Sequence, residues 1–516
     1  MIGSRRRFLR TIATSGAMTS LCVPSYLLHQ LQLTDKRISP EQIAADPLRP
    51  QFHLLPARNW MNDPNGPIYW KGGYHMFFQY NPNAAVWGDM HWAHAISPDM
   101  IHWKHLPVAL APTPGGYDQE GCFSGSAVDN HGTATILYTG VKLAPPERAT
   151  LRDGTHNFLE VQCLATSTDR DLRTWQKHSQ PVLLPPKDSR ITGFRDPCPW
   201  RAGSSWFLGI GSGIRGEGGR VLLYRSADLL HWEYLHPLAS GNRNGKPTND
   251  PVDAGEMWEC PDFFPLGKKH VLLYSTERKV YWETGEFDPK ELKFHTGKQG
   301  LLDHGSCYAA KSQQDAHGRR ILWGWVTETR PEAEYSAAGW AGCMSLPRVL
   351  TLADDGSLRM AVVSEIAQLR EREMSLPQKN PGGNAEVDAL NRIELKSATA
   401  EIELLFRPKP FHLRISDGTQ EIFGVTFDPS RSGKELQIGD IALNCPVTGG
   451  APHRIRVFLD SSVVECFLDE VFAWTSRTYR APKANLHIRL PAVDLAAVES
   501  LRVWPLRPIS PDRLTT

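Results

Sequence analysis

The sequence predicts an all-β protein, a five-bladed β-propeller followed by a C-terminal β-sandwich. Three observations support this fold class. After residue 45, short apolar runs alternate with turn-forming residues, which fits the 42 Gly and 39 Pro of the 516-residue chain. One aromatic motif returns at intervals, as expected for a propeller. Beyond residue 350, apolar and polar residues alternate with the two-residue period of half-buried strands.

The composition excludes several classes of protein. The formal net charge is only +1, which argues against a nucleic-acid-binding surface. Mean hydropathy is −0.36, and the sequence has no unbroken apolar run long enough to span a membrane, so we expect no membrane span in the mature chain. The nine cysteines form no Cys-x-x-Cys pair, so we expect small buried residues rather than a zinc site. The composition leaves the oligomeric state undecided.

Residues 1–40 have the features of an export signal. Ser4-Arg5-Arg6-Arg7-Phe8-Leu9-Arg10 resembles a bacterial twin-arginine motif, and the uncharged, modestly apolar stretch 11–28 follows it. A disordered basic tail is the alternative interpretation. No clear cleavage motif follows, so the mature chain is expected to begin between residues 25 and 45. We therefore expect a periplasmic or extracellular protein.

Residues 41–352 are predicted to form the propeller. Five short apolar runs have the length and composition of buried strands, and they recur at roughly even spacing. We assign one run to each of five blades: Tyr74–Tyr80, Ala134–Tyr138, Ser205–Ile210, His270–Tyr274 and Ile321–Trp325.

A repeated motif supports the blade count. Ser97-Pro98-Asp99-Met100-Ile101-His102-Trp103 is echoed by Ser226-Ala227-Asp228-Leu229-Leu230-His231-Trp232, and more loosely by the segment 167–175. A β-sandwich would show similar short strands but not this echo, so the echo favours the propeller.

The chain changes character after the propeller. Residues 353–372 are predicted to be a linker, with a short helix from Ser364 to Arg370. Residues 373–516 are predicted to be the β-sandwich, because segments such as 401–406 and 454–459 alternate apolar and polar residues.

Three acidic residues lie in constrained surroundings at blade-like spacing. Asp63 and Asp196 each precede a proline, and Glu259 lies between Trp258 and Cys260-Pro261. Ser124 falls where the intervening blade would contribute a group. Carboxylates that meet at a cavity mouth suit glycoside hydrolysis, which needs an acid and a nucleophile or base. Each acid could instead cap a turn, but all three in blade register argue against that alternative.

The motifs around these acids resemble glycoside hydrolase family 32, the invertases, inulinases, levanases and fructan exohydrolases. The resemblance extends in order over about residues 48–510. It rests on these blocks: Trp60 to Pro67, Phe77 to Pro82, Phe123-Ser124-Gly125-Ser126, Arg195-Asp196-Pro197, Trp258-Glu259-Cys260-Pro261-Asp262, Trp340 to Arg348, and Val457 to Phe467.

The resemblance implies a retaining enzyme that releases fructose from β-D-fructofuranosyl ends of sucrose or a fructo-oligosaccharide. Asp63 would be the nucleophile, Glu259 the general acid/base, and Asp196 the residue that stabilises the transition state. Matched positions would line the fructosyl pocket with Asn62, Gln79, Ser124 and Arg195 as polar groups, and with Trp60, Trp87 and Phe123 as apolar walls. No metal or organic cofactor is implied.

Several alternatives remain open from the sequence. The same fold could carry a fructan exohydrolase or a fructosyltransferase, since both pass through the same covalent intermediate. An inverting propeller enzyme that acts on arabinofuranosides, or a non-catalytic fructan-binding protein, fits the motifs less well. Asp303 could contact the sugar or a neighbouring blade, and Glu160 could flank the cavity or lie in solvent.

Overall fold

The structure is a computed structural model that describes residues 38–152, 154, 156–376, 393–439, 441–444 and 451–514. Its strands form seven antiparallel or mixed sheets, five in the first part of the chain and two in the last. The all-β prediction, with a propeller followed by a sandwich, is confirmed. The expected signal segment, which ends at residue 40, lies almost wholly outside the described residues.

Five four- or five-stranded sheets form the propeller blades. The short helix α1 (Pro40–Ala45) precedes them. Blade I contains β1 (Asn59–Trp70), β2 (Gly73–Asn81), β3 (His91–Ser97) and β4 (Lys104–Leu110). Blade II contains β5 (Gly121–Asn130), β6 (Thr133–Leu143), β7 (Leu151–Arg152), β8 (Asn157–Ser167) and β9 (Gln176–Lys177). Blade III contains β10 (Ile191–Ala202), β11 (Ser205–Ile214), β12 (Gly218–Ser226) and β13 (Glu233–Ser240).

The last two blades complete the ring. Blade IV contains β14 (Glu259–Leu266), β15 (Lys269–Thr276), β16 (Lys279–Asp288) and β17 (Lys293–Leu301). Blade V begins with β18 (Cys307–Gln314) and β19 (Arg320–Val326). Helix α2 (Glu332–Ala338) and β20 (Trp340–Ala341) follow, and β20 pairs in parallel with β1 of blade I. The chain then returns to blade V through β21 (Cys343–Met344), β22 (Arg348–Leu352) and β23 (Leu358–Val362).

The inner strands of the five blades, β1, β5, β10, β14 and β18, surround one axis. Each contacts the next around the ring, and β18 contacts β1 to close it. Groups at equivalent positions of these strands therefore face a shared axial space.

The echoed motif is a repeated turn between the third and fourth strands of a blade. In blade I, Asp99 Oδ1 accepts from the backbone N–H of Ile101 and of His102, at 3.0 and 2.9 Å. The Trp103 indole N–H donates to the carbonyl of Met100, which has a left-handed φ of 68°. Leu172 in blade II and Leu229 in blade III have the same left-handed conformation. Their carbonyls accept from the indole N–H groups of Trp175 and Trp232. An Asx-type turn held by a tryptophan thus explains the sequence echo.

The propeller extends beyond the boundary that the sequence suggested at residue 352. Strand β23 pairs with β22 and is the outer strand of blade V, so this sheet continues to Val362. The intervening Asp354-Asp355-Gly356-Ser357 looks like a linker in the sequence, but it is a hairpin turn in which Ala353 and Gly356 hydrogen-bond across the loop. The short helix predicted in the linker is present as a 3-10 helix, Ser364–Leu369.

Two six-stranded sheets form the sandwich. One sheet has the order β24 (Met374–Ser375), β35 (Val498–Pro505), β26 (Thr399–Phe406), β31 (His453–Asp460), β32 (Val463–Leu468) and β33 (Phe472–Arg477). The other has the order β25 (Glu394–Leu395), β34 (Leu486–Arg489), β27 (Phe411–Ser416), β28 (Glu421–Phe427), β29 (Leu436–Ile438) and β30 (Ile441–Leu443). A second 3-10 helix, Ala492–Ala497, precedes β35.

The sandwich has its own core but also packs tightly on the propeller. Phe458 and Phe467 of the sandwich belong to the same buried cluster as Trp323 and Leu346 of the propeller. Buried ion pairs also join the two domains, such as that between Arg348 and Glu465. Within the described residues, no helix is both long and apolar enough to cross a bilayer.

Candidate active site

A β-bulge interrupts every inner strand at the axial end where the predicted site residues lie. The pairing register shifts between Met61 and Pro64, Phe123 and Gly125, Arg195 and Cys198, Glu259 and Asp262, and Tyr308 and Lys311. A bulge leaves residues unpaired and re-aims their side chains. The prolines that mark the motifs fit here, because a bulge tolerates the loss of a backbone donor.

Three of the bulges require left-handed backbone. Asp196, Cys260 and Ala309 have φ values of 63°, 50° and 53° in blades III, IV and V. This region is unfavourable for side-chain-bearing residues by about 1–2 kcal/mol each. Such strain collects at functional sites, where the surrounding structure holds it in place. The three strained residues occupy equivalent positions, so Glu259 corresponds to Arg195 and Tyr308 in the neighbouring blades.

Asp63 lies in the blade I bulge and is 5% exposed. Its Oδ1 accepts from the side-chain amide nitrogen of Asn62 at 2.9 Å, and the side-chain oxygen of Asn62 accepts from the Trp60 indole N–H at 2.7 Å. Its Oδ2 accepts from the Ser124 hydroxyl at 2.7 Å. These contacts fix both oxygens of the carboxylate, and they confirm that Ser124 of blade II reaches the same place.

Asp196 is buried beside Asp63. Its Oδ2 accepts from the backbone N–H of Cys260 at 2.8 Å, and the Cys260 thiol lies 3.5 Å from an oxygen of Asp196 and of Asp63. The two carboxylates therefore flank one sulfur. Burial raises the pKa of Asp196 to about 6, with the negative charges of Glu259 and Asp63 adding to the effect and Arg195 opposing it.

Glu259 is held by two neighbours from adjacent blades. Arg195 Nη2 donates to Glu259 Oε1 at 2.9 Å, and the Tyr308 hydroxyl donates to Glu259 Oε2 at 2.6 Å. Arg195 Nη1 also donates to Glu160 Oε1 at 2.8 Å. Burial opposes the charge on Arg195, but Glu160 and Glu259 outweigh it and raise the pKa of Arg195 well above its ordinary value. We call Asp63, Asp196 and Glu259 the carboxylate cluster.

Aromatic side chains surround the carboxylate cluster on the blade I side. Trp60 packs against Trp325 and Tyr335 with ring centroids 5.8 and 5.7 Å apart, and Trp87 meets Phe123 edge to face at 5.9 Å. These residues belong to one apolar cluster, so the predicted walls do come together.

Gln79 is buried against the backbone of blade II. Its amide donates to the carbonyl of Cys122 at 2.8 Å, directly behind the bulge that carries Ser124. Of the ten residues singled out from the sequence, the structure joins six through the contacts above: Asn62, Asp63, Ser124, Arg195, Asp196 and Glu259. The other four form the surrounding wall and support: Trp60, Gln79, Trp87 and Phe123.

The sequence assigns no role to two site residues, Tyr308 and Cys260, although Cys260 lies in the Trp258–Asp262 block and both lie at bulge positions that blade register could have indicated. For Glu160 the sequence allows either the cavity or solvent; the residue is 0% exposed and accepts from Arg195 and from the Phe194 backbone N–H. Asp303, considered as a sugar contact, instead binds Arg348 and Thr475 at the sandwich boundary.

In Asp63 and Glu259, hydrogen-bond donors hold both carboxylate oxygens. In Asp196, burial raises the pKa to about 6, and Arg195 bridges Glu160 and Glu259. Among the described residues, no group of three His, Cys, Asp or Glu side chains is placed to hold a metal ion. The carboxylate cluster itself can supply nucleophilic attack by one carboxylate together with proton transfer by another.

Comparisons with known proteins place this site in a family. Residues 53–361 match the sequence profile of the glycosyl hydrolases family 32 N-terminal domain, and residues 365–505 match the profile of the C-terminal domain of that family. The raffinose invertase of Escherichia coli is 40% identical, over 84% of this chain and 90% of that protein. A sucrose-6-phosphate hydrolase of Escherichia coli is 35% identical, over 89% of this chain and 94% of that protein.

Solved structures agree with the sequence relatives. The crystal structure of fructan 1-exohydrolase IIa from Cichorium intybus matches with a TM-score of 0.72 and 28% identity, over 90% of this chain and 98% of that one. A β-fructofuranosidase from Bombyx mori matches with a TM-score of 0.71 and 29% identity, over 94% of this chain and 98% of that one. The two profiles, and the relatives that align over most of their length, show that this chain belongs to glycosyl hydrolase family 32.

Proposed function

We propose that the protein is a retaining β-fructofuranosidase that hydrolyses sucrose through a covalent fructosyl ester on Asp63. The observation that carries this proposal is the carboxylate cluster itself. Asp63 and Glu259 approach from bulges on different blades, and each is oriented by donors on both oxygens. Retaining glycosidases need this pairing of an oriented nucleophile with a proton donor.

In the first step, an oxygen of Asp63 attacks the anomeric carbon of the fructosyl unit as the glycosidic bond breaks. Protonated Glu259 gives its proton to the departing oxygen, so glucose leaves as a neutral alcohol and Glu259 becomes a carboxylate. Asn62 and Ser124 donate to Asp63, and they fix the direction of its attack.

In the second step, a water molecule attacks the same carbon and the fructosyl–Asp63 ester breaks. Ionised Glu259 takes a proton from that water, which restores both carboxyl groups and releases fructose with its original configuration. Asp196 accepts hydrogen bonds from fructosyl hydroxyls while positive charge develops on the ring. Because the site is buried, these interactions are stronger than they would be in water.

Sucrose is the proposed substrate because relatives that align over most of their length are named raffinose invertase, β-fructofuranosidase and sucrose-6-phosphate hydrolase. Short fructans are the second candidate. One matching structure is a fructan 1-exohydrolase in complex with 1-kestose, at 26% identity. Transfer of the fructosyl unit to a sugar acceptor shares the first step and is a further possible outcome of the same assay.

A product profile tests the proposal. The purified enzyme is incubated separately with sucrose, sucrose 6-phosphate, raffinose, 1-kestose, inulin and levan, and the products are separated. We expect equal amounts of glucose and fructose from sucrose, at the highest kcat/KM of the series. An Asp63→Asn control should release neither sugar. Absence of fructose release from every substrate would overturn the proposed function, whereas faster hydrolysis of 1-kestose would assign fructan as the substrate.

We further propose that the protein is exported in folded form through a twin-arginine signal. The support is the Ser4-Arg5-Arg6-Arg7-Phe8-Leu9-Arg10 motif. Replacing Arg5 and Arg6 together by Lys should leave the enzyme in the cytoplasmic fraction, because the translocation machinery recognises the arginine pair. The matched control, Arg10→Lys, should be exported as the wild type is. Export of the double variant would contradict the twin-arginine route.

A further inference from the structure

Lys311 is a lysine buried at the centre of the propeller. It lies on the inner strand of blade V, directly after the bulge that separates it from Tyr308, and it is only 1% exposed. Its Nζ donates to the carbonyl of Pro261 at 2.7 Å and to the hydroxyl of Ser126 at 3.3 Å. One side chain therefore links the inner strands of blades II, IV and V.

The two acceptors lie in the same strand segments as the catalytic groups. Pro261 directly follows Cys260, whose backbone N–H donates to Asp196 and whose thiol contacts Asp63. Ser126 stands two residues after Ser124, which donates to Asp63. A shift of Lys311 would therefore move the bulges that aim the carboxylate cluster.

Burying an ammonium group is unfavourable unless other charges compensate for it. Both acceptors of Lys311 are neutral, so hydrogen bonds alone supply no opposite charge. Charged and titratable groups also lie on the surrounding inner strands and on β19. They are Asp63 on β1, Arg195, Asp196 and Cys198 on β10, Glu259, Cys260 and Asp262 on β14, Tyr308 on β18, and Arg320 on β19.

Most of these groups are already neutral or paired. Burial raises the pKa of Cys198 to about 11 and the pKa of Cys260 well above its usual value, so both thiols are neutral, although the charge of Lys311 opposes the rise in each. Ser312 donates to Asp262 from its backbone N–H at 2.9 Å, and Arg320 Nη2 approaches Asp262 to 3.8 Å. Glu259 is paired with Arg195, so Asp63 and Asp196 are the carboxylates of the cluster that the ammonium can favour.

We propose that Lys311 is a positioning residue for catalysis: its buried ammonium holds the bulges of blades II and IV together and favours the ionised forms of Asp63 and Asp196. Arg195 also brings a buried positive charge to the cluster, but it contacts Glu259 directly. Lys311 acts through its hydrogen bond to the backbone carbonyl of Pro261 and through the electric field of its charge.

The inference rests on the proposed function, because its readout is sucrose hydrolysis. Without the ammonium, ionised carboxylates are less stable and take up protons at higher pH. The acidic limb of kcat/KM against pH reports protonation of groups that the free enzyme needs ionised. Loss of the one positive charge of Lys311 should move the acidic limb to higher pH by about one unit.

Two variants separate the charge from the hydrogen bonds. Lys311→Gln keeps a donor for the Pro261 carbonyl but has no charge, and Lys311→Met keeps the length but has neither. Ser126→Ala is the matched control, since it removes one neutral acceptor and leaves the ammonium in place. For each variant, the pH profile of kcat/KM on sucrose and the Tm would be measured.

We expect the acidic limb of both Lys311 variants to move upward by about one pH unit, and that of Ser126→Ala to stay at the wild-type position. The Tm should fall further in Lys311→Met than in Lys311→Gln. A wild-type profile in Lys311→Gln would overturn the electrostatic role, even if its Tm has fallen. If Lys311→Gln does not fold, Lys311→Arg, which keeps the charge, must show the wild-type limb for the proposal to stand. Wild-type hydrolysis tests the proposed function separately.

Discussion

Two of the buried charge clusters in the described part of the chain are built in opposite ways. The first is the carboxylate cluster at the propeller axis. The second, which we call the junction network, lies where the propeller meets the sandwich. It consists of His53, Asp303, Arg348, Asp460 and Glu465, whose side chains are all 0% exposed.

The junction network pairs every charge with an opposite one. Arg348 donates to Asp303 at 3.0 Å and to Glu465 at 2.7 Å. The two ring nitrogens of His53 face Asp460 and Glu465 at 2.7 and 3.1 Å. Burial opposes the charge on His53, but these carboxylates outweigh it and raise the pKa of His53 above its ordinary value. Backbone N–H groups of residues 51, 52 and 53 complete the shell around Asp460.

The carboxylate cluster is left electrostatically unfavourable by comparison. Asp63 and Asp196 share contacts with a neutral thiol, and the pKa of Asp196 stands at about 6 rather than at the value of an exposed aspartate. The comparison shows where this fold gains stability and where it gives some up. Paired charges join the two domains, whereas charges that must react are held by strained bulges and remain partly uncompensated.

Breaking the carboxylate cluster should abolish activity without unfolding the protein. In Asp63→Asn the amide is nearly isosteric, but it is a poor nucleophile, so we expect kcat on sucrose to fall by about 10⁴-fold or more. The Tm should change by only a few degrees, because Ser124 can still donate to the remaining side-chain oxygen. Steady-state kinetics and thermal unfolding measure the two effects. Activity above a tenth of the wild-type value would remove Asp63 from the mechanism.

Breaking the junction network should have the opposite result. Arg348→Met leaves Asp303 buried without its cation and leaves Glu465 with His53 alone, so we expect a loss of about 3–5 kcal/mol in the free energy of unfolding. The kcat of the protein that remains folded should stay near the wild-type value. Adding Asp303→Asn to Arg348→Met removes the unpaired charge and should recover part of the loss. Urea unfolding that shows no destabilisation in Arg348→Met would contradict the role assigned to the network.

The smallest expected effect concerns the pH dependence of stability at Asp196. Its pKa is raised in the folded state, so its contribution is fully present below the unfolded pKa and is lost as pH rises through about 6. Asp196→Asn lacks this dependence. Relative to the wild type, the variant should therefore become more stable between about pH 4 and pH 7, by at most about 3 kcal/mol. Urea unfolding at several pH values measures the difference, and a difference that is constant with pH would refute the raised pKa.

The fold could be predicted from the sequence where one physical signal dominates. The five apolar runs are the second strands of the blades, β2, β6, β11, β15 and β19, which are buried on both faces and therefore read as continuous hydrophobic stretches. The inner strands are interrupted by bulges, which carry prolines in blades I, III and IV, so motifs indicate the inner strands of blades I to IV and nothing distinctive marks that of blade V. Strand β23 was missed because a hairpin turn and a linker have the same composition.

The site could be predicted only as far as its motifs reach. Asp63, Asp196 and Glu259 stand beside prolines and tryptophans that mark them in the sequence. Tyr308 and Lys311 become visible only when five strands are placed in register, because their neighbours Ala309 and Ala310 form no distinctive motif. Asp303 shows the reverse case. Its position at the start of blade V suggested the cavity, but Arg348 and Thr475 draw its side chain to the sandwich.

The central claim is that Asp63 forms a covalent bond that Glu259 then helps to break. The most direct test is to mix Glu259→Gln with β-D-fructofuranosyl fluoride, whose leaving group needs no proton, and to analyse the quenched protein by peptide mass spectrometry. Because the variant lacks the base for the second step, we expect a peptide that carries Asp63 plus one fructosyl residue, and faster turnover when azide is added. An unmodified Asp63 peptide, with fluoride released in a steady state and no effect of azide, would contradict the mechanism.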